Sequence, residues 1–561
     1  MLELAFPPAF VLILGALLVA VVRPGLRPLV LLGAPLLTLW AIWRLPDGVL
    51  LTAPFLGYDI ELVEADALRR LFATVFALMA FAGGLFGLLQ ARTRELAAAY
   101  AYAAGAIGVC FAGDLITLFL FWEFMALFST VVIWCGEGEN ARRAGLRYAL
   151  MHLVGGVLLK IGIEGVMVHT GSVDVRALAL DSFDAWVLLA GVLVNAAAPP
   201  VSAWIADAYP EGSPFGAVFL SAFTTKTAVL ALILLFPGAQ ILVWIGLWMI
   251  FYGILYALLE NDMRRILAYS IVNQVGFMVC GVGIGTGMAL NGAAAHAFAH
   301  ILYKALLLMS AGAVLHQTGK RKCSDLGGLG PSMPVTTACG IVGALAISAF
   351  PFTSGFISKS MIGQAAADQH LMLVWFLLTA ASAGVFLHAG IKFPWFVFFQ
   401  KDSGLRPPDP PWNMRAAMIL LAAACIALGC FPWMLYELLP YPVDYLPYTG
   451  AHVVTQFQLL LFAGLAFFAL LPLMQRTLTI SLDFDWLWRV AMVELAAGIA
   501  RAWRALGDAS RALWQRRAGL WLRRGLALVA PDGILARTQP VASMALWVLL
   551  VLALLIGLAR V

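Results

Sequence analysis

Charge is what this chain has least of. Only 12% of its 561 residues are Asp, Glu, Lys or Arg, whereas 63% are hydrophobic and the mean hydropathy is +0.93. Soluble domains carry roughly 25% charged residues, so the composition leaves no room for a soluble catalytic module, and any such module belongs to another chain. The seven cysteines show no C-x-x-C spacing, which argues against a zinc site, an iron–sulfur cluster or a disulfide framework. Cys110, Cys280, Cys425 and Cys430 fall inside apolar runs and read as small apolar residues. There is no nucleotide, flavin, quinone or cluster motif, so no cofactor or metal is expected and the chain is not an enzyme by itself. The N-terminal stretch lacks a basic leader and an A-x-A-like cleavage site, and it reads as a retained first span.

What is present is a series of apolar runs. A span needs about 20 apolar residues, and on that basis the chain is an all-α polytopic membrane protein of about sixteen transmembrane helices. The expected organisation is N-terminal helices over 1–95, five-helix units over 96–236 and 240–400, and further helices over 413–473. An amphipathic segment over 483–528 and a last span over 541–559 follow. Basic connections such as E-N-A-R-R-A-G-L-R, E-N-D-M-R-R and G-K-R-K all follow odd-numbered spans. Short Arg/Lys-rich loops stay cytoplasmic, so both termini are predicted on the periplasmic side of a bacterial inner membrane. Within 483–528, arginines recur at helical spacing against Trp503, Leu506, Leu513, Trp514, Leu520 and Trp521. That is the pattern of a lateral helix lying on a membrane surface or bracing a partner subunit.

Pro199-Pro200 and Pro351 each fall in the middle of a predicted span. Proline removes a backbone donor and clashes with the preceding turn, so two helices should be broken. Unwound backbone at membrane depth is tolerated where it is buried in protein or lines a hydrated cavity. The breaks lie an odd number of spans apart, so the two five-helix units have opposite orientation, as in an inverted repeat.

Ionisable residues interrupt the apolar runs at Glu123, Lys160, Lys226, Lys304 and Lys359. A charge at mid-membrane costs roughly 2.5–3.5 kcal/mol on insertion scales, and such groups mark ion or proton paths. His296, His300 and Lys304 step by four and share one helix face, with imidazoles suited to proton relay. Lys160 and Glu164 also share a face. Lys392, with His388 one turn before it, either extends the relay or snorkels to the surface. Asp207, Glu260, Asp262, Arg264 and Arg265 are read as a solvated edge, or alternatively as the mouth of a half-channel.

W-E in the fifth span, W-I-A-D-A-Y-P after the seventh, E-N-D-M-R-R-I-L-A-Y-S-I-V-N-Q-V-G-F, H-A-F-A-H-I-L-Y-K-A-L-L and F-P-F-T-S-G-F-I-S-K occur in fixed order. Together they resemble the antiporter-like subunits shared by respiratory complex I, Mrp-type cation/proton antiporters and membrane-bound hydrogenases. The later L-D-F-D-W-L-W-R is most similar to the Mrp D subunit. The resemblance implies a buried row of Glu123, Lys226, His296, His300, Lys304 and Lys359 that passes protons along the membrane centre. It also implies partner membrane subunits and exchange of protons for Na+ or another monovalent cation. Two alternatives stay open: a redox-driven pump coupled to a quinone reductase or hydrogenase module, and a partly degenerate scaffold coupled to another solute.

In that family a lysine stands nine residues before the tryptophan of the W-x-x-D-A motif, and here that position is Asn195. An amide does not take up and release a proton. Lys160 is therefore the expected substitute partner for Glu123, with Glu164 keeping it charged; the alternative is a Lys160–Glu164 pair that only neutralises itself at an interface.

Overall fold

The computed structural model describes residues 6–55, 57–474, 483, 486–537 and 540–559. It divides into two units, Met1–Asp485 and Trp486–Val561. The first unit begins with α1 (Pro8–Val21) and α2 (Arg27–Ile42), then an antiparallel hairpin of β1 (Gly48–Phe55) and β2 (Tyr58–Ala65). Next come α3 (Ala67–Gly87), α4 (Thr93–Phe111), α5 (Leu115–Trp134), α6 (Gly138–Thr170), α7 (Phe183–Asn195), α8 (Trp204–Ala208), α9 (Gly216–Leu220) and α10 (Thr224–Leu235). They are followed by α11 (Ile241–Leu259), α12 (Met263–Ile284), α13 (Gly287–Thr318), α14 (Pro334–Ile347), α15 (Ser354–Asp368) and α16 (Met372–Val385). The last of these continues through π-helical turns at Phe386–Lys392 and Trp395–Phe399. The unit closes with α17 (Trp412–Cys430), α18 (Trp433–Tyr436) and α19 (Gly450–Ala469).

Among the described residues, twelve helical stretches are long and apolar enough to cross a bilayer, and Pro8–Val21, Phe183–Asn195 and Pro334–Ile347 are apolar but shorter. Every expected span coincides with a helix or an interrupted pair of helices. The shorter helices at Phe183–Asn195 and Pro334–Ile347 arise because the spans around the prolines are broken, as their sequence requires. Two local expectations are corrected. The acidic segment Y-D-I-E-L-V-E, which falls outside the expected helices of 1–95, is strand β2, where side chains such as Ile60 and Val63 turn inward. The eighth span is also interrupted, between α9 and α10, although no proline marks it.

The repeat shows as matched local features. Asp114 caps α5 and Asp262 caps α12, each accepting from backbone N–H groups of the first turn. Asp114 forms an isolated bridge with Asp174, and Asp262 forms one with Lys322. The long helices α6 and α13 both end on a left-handed glycine, Gly171 at φ 66° and Gly319 at φ 67°. Asp114, Gly171 and Asp174 answer to Asp262, Gly319 and Lys322 at one constant offset along the chain. The breaks match too. After α7, Ala197 is left-handed and Ala198 N–H donates to Leu193 O; after α14, Ala349 is left-handed and Phe350 N–H donates to Leu345 O. A left-handed alanine is costly, and such strain persists only where the surrounding structure dictates it.

Helices α12 and α13 are buried almost throughout, so their polar residues face protein and not lipid. Close approach makes this possible: a Cβ on Gly246 of α11 would lie 2.5 Å from Cys280 N and 2.6 Å from Gly276 O of α12. Small residues let membrane helices meet backbone to backbone.

In the second unit, α20 (Met492–Val529) runs for 38 residues with no buried residue, and α21 (Val541–Leu558) follows. Trp503, Trp514 and Trp521 are exposed on α20.

Candidate functional site

A helix interruption leaves carbonyls without their intrahelical donors, and lysine ammonium groups fill that role here. Lys226, at the start of α10, donates to Ser221 O in the α9–α10 break at 2.6 Å and to Thr225 Oγ1 at 3.0 Å. Lys359, on α15 just past the α14–α15 break, donates to Ile347 O at 3.1 Å and sits 4.8 Å from the ring centre of Phe277. Lys304, on α13, donates to Ser270 Oγ at 2.9 Å, with Leu267 O at 3.4 Å. All three lysines are buried, and these contacts are to neutral oxygens. That arrangement solvates an ammonium without locking it to a carboxylate, so its proton remains transferable.

The histidines of α13 lie among these lysines. His296 contacts Ser358 Oγ through Nδ1 at 3.1 Å and Gln274 Oε1 through Nε2 at 3.1 Å. Tyr303 also donates to Gln274 Oε1, at 3.0 Å. His300, one turn on, has no partner at either ring nitrogen, and its ring centre is 6.4 Å from that of His296. It lies within Coulombic reach of Lys226, Lys304, His296 and Lys359.

At one end, Lys359 lines a cavity of about 630 Å³ together with Ser360, Gln364, Asp368, Asp444, His452 and Gln456. His388, in the π-helical stretch, has Nδ1 2.9 Å from Gly384 O. Lys392 donates to Ala257 O, Leu258 O and Glu260 O at 2.8, 2.5 and 2.7 Å, capping the C-terminus of α11. It therefore stands at the edge of the file.

The first half is arranged differently from expectation. Glu123 lies on α5 with Oε1 buried and without a partner. Lys160 is hydrogen-bonded to Glu164 and lies 5.9 Å from the ring centre of Phe119, with both charged side chains about half exposed on the outer face of α6. The expected Lys160–Glu123 pair is not formed, because the nearer carboxylate is on Lys160's own helix one turn away. Asn195, at the end of α7, is instead 2.7 Å from Nδ1 of His152, a buried residue of α6 that spacing alone did not single out.

The edge residues are also closed where solvation was expected. Arg147 binds Asp207 through both oxygens at 2.7 and 2.8 Å. Arg321 bridges Asp262 at 2.7 Å and Glu211 at 2.8 Å, Arg264 donates to Ser213 O, and Arg265 holds Glu260 at 2.8 Å. Burial pushes the Glu260 carboxyl up, but the Arg265 guanidinium and the N–H groups of Asp262 and Asn261 outweigh it and hold the group below its ordinary range. Tyr252 and Tyr269 donate to Asp483 beyond α19. No cluster of three or more His, Cys, Asp or Glu suited to a metal occurs among the described residues.

The family model described as NADH:quinone oxidoreductase/Mrp antiporter, transmembrane, matches residues 112–385. This covers all three interrupted spans and the whole lysine–histidine file. A probable K(+)/H(+) antiporter subunit of Rhizobium meliloti is 30% identical over 396 residues, which is 64% of this chain and 40% of that protein's length. NADH-quinone oxidoreductase subunit N of Desulforudis audaxviator is 32% identical over 470 residues, covering 77% of this chain and 91% of its own. Among solved structures, a chain of the Mrp complex from Dietzia superposes with a TM-score of 0.71 at 21% identity, over 83% of this chain and 99% of that one.

Proposed function

We propose that this chain, which belongs to the NADH:quinone oxidoreductase/Mrp antiporter transmembrane family, is the proton-translocating subunit of a multi-subunit Mrp-type complex that exchanges protons for Na+ or another monovalent cation. One observation carries the reading. Lys226, Lys304, His300, His296 and Lys359 are gathered in a buried file that ends on a polar cavity.

In this reading a proton passes from Glu123 to Lys226, then through His300 and Lys304 to His296 and Lys359, and leaves through the cavity. Each ammonium is solvated by carbonyl and hydroxyl oxygens, so gaining or losing a proton requires no ion pair to be broken. Like charges about 8 Å apart repel by about 2 kcal/mol at an effective dielectric near 20. A proton arriving on one lysine therefore biases its neighbour to discharge. Lys160 and Glu164, on the outward face of α6, belong at the junction with a neighbouring subunit. Lys392 belongs at the far edge. The setting is a bacterial inner membrane with both termini periplasmic.

The test is transport by the chain purified with its co-purifying subunits and reconstituted into vesicles. An imposed Na+ gradient should drive proton movement, and K304M or K359A should abolish it. K160A decides whether that lysine is in the path: transport at the wild-type rate removes it. A wild-type complex that moves no protons under any cation gradient refutes the antiporter reading.

A second reading is favoured by the length of the match to a quinone reductase subunit. There the same file is driven by electron transfer elsewhere in the complex. Proton movement would then depend on an electron donor and be indifferent to Na+.

A further inference from the structure

His152 is buried in α6 and is the one histidine of the first repeat's interior. Its ring packs against Tyr148 and Trp204, at 4.1 and 4.8 Å between ring centres. With Nδ1 donating to Asn195 Oδ1, Nε2 presents a lone pair. Nε2 has no partner, and neither has Asn195 Nδ2, although both are buried. An unfilled buried polar atom costs about 1–3 kcal/mol, so two of them in one hydrogen-bonded pair are more than an inert packing contact would carry.

Two further observations place this imidazole between ionisable groups. One turn after His152 on the same face is Gly156. A Cβ there would come within 2.9 Å of Glu123 Cδ, so the Glu123 carboxyl rests against the helix one turn from the ring. Its Oε1 is likewise buried and unpartnered. On the other side, Tyr148 donates to Ser129 Oγ at 2.9 Å and lies 3.5 Å from Thr224 Oγ1. Thr224 adjoins Thr225, whose hydroxyl accepts from Lys226. The other charged groups near this helix face, Arg147 and Asp207, are bound to each other through two hydrogen bonds.

The internal symmetry points the same way. The constant offset that relates Asp114 to Asp262 and Gly171 to Gly319 also relates His152 to His300. The two halves thus carry an imidazole at the same point of their long helices, each with an unfilled nitrogen.

We propose that His152, held by Asn195, is the proton-binding group that joins Glu123 to Lys226 in the first half of the file. The inference rests on the reading that the chain conducts protons. It assigns the titrating role of the first repeat to an imidazole on α6, the amide at 195 serving to orient it.

Vesicles containing the assembled complex test it. H152Q keeps a hydrogen-bonding group beside Asn195 but does not titrate, and transport should fall at least tenfold. In H152Q/N195K an amine replaces the lost proton site, and transport should return to within about threefold of wild type. N195D is isosteric with the native amide and sets a carboxylate against the imidazole, so the alkaline limb of the transport pH profile should move up by about one unit. This variant also serves if H152Q fails to assemble. H152Q at the wild-type rate, an assembled H152Q/N195K no faster than H152Q, or an unmoved N195D profile each overturns the proposal. K304M in the same vesicles separates the two levels. A conducting wild type, a dead K304M and a fully active H152Q remove His152 from the path and leave the function standing.

Discussion

Glu123 can lie against α6 because residue 156 has no side chain, and replacing Gly156 with alanine tests whether that placement matters. The added Cβ would stand 2.9 Å from Glu123 Cδ and 3.2 Å from Oε2, and closer still to Oε1. Carbon atoms in contact prefer about 3.5–4.0 Å, so the carboxyl must retreat by about 1 Å. The obstacle is the far end of a flexible side chain. The structural penalty is therefore an off-rotamer χ angle, about 0.5–1.5 kcal/mol, and the complex should assemble. The functional penalty is larger. A displacement of about 1 Å in a proton-transfer geometry costs up to about a hundredfold, and we expect G156A to slow proton transport between ten- and a hundredfold. G155A is the control for an added methyl on the same turn: its Cβ would meet Val194 at 3.0 Å, a milder crowding, with only ordinary contact with Asn195 at 3.7 Å, and it leaves Glu123 untouched. The assay is the initial rate of proton movement in vesicles at matched complex content. Equal rates for G156A and G155A, with E123Q inactive, would show that Glu123 works without its seat on α6, and the reasoning would be refuted.

Two further outcomes follow from packing and from the edge network. G246A pushes a methyl into the backbone of α12, which carries the Ser270 and Gln274 that hold Lys304 and His296. It should cost about 1–3 kcal/mol and lower the melting temperature of the purified complex, and an unchanged melting temperature contradicts the close α11–α12 approach. Glu260 is held below its ordinary value of 4.5 by Arg265, so its stabilisation is present above that value and is lost as pH falls through the lowered one. E260Q should therefore melt earlier than wild type at neutral pH, with the gap closing well below pH 4.5; a gap independent of pH sinks the assignment.

Much of this was legible without coordinates because the membrane makes hydropathy and length decisive. The position of each span, the breaks at Pro199-Pro200 and Pro351, and the stripe of His296, His300 and Lys304 all follow from local rules that act along one helix. The β2 strand was missed because its alternation is short and acidic, and the α9–α10 break because no proline marks it.

Lys160 shows the limit most clearly. Its spacing from Glu164 was correct, but spacing says only that two residues share a face. Whether that face meets Glu123 or the outside depends on how α6 is rotated against α5 and α7. His152 is the converse: one histidine in an apolar run carries no periodic signal, and its meaning arises only when Asn195, distant in sequence, is brought to 2.7 Å. Composition and periodicity by themselves determined that the chain lives in lipid, where its helices run and which of them carry charge. Only the packing of those helices decided which charges are buried together, because helix rotation and neighbour choice are set by contacts between segments far apart in the chain.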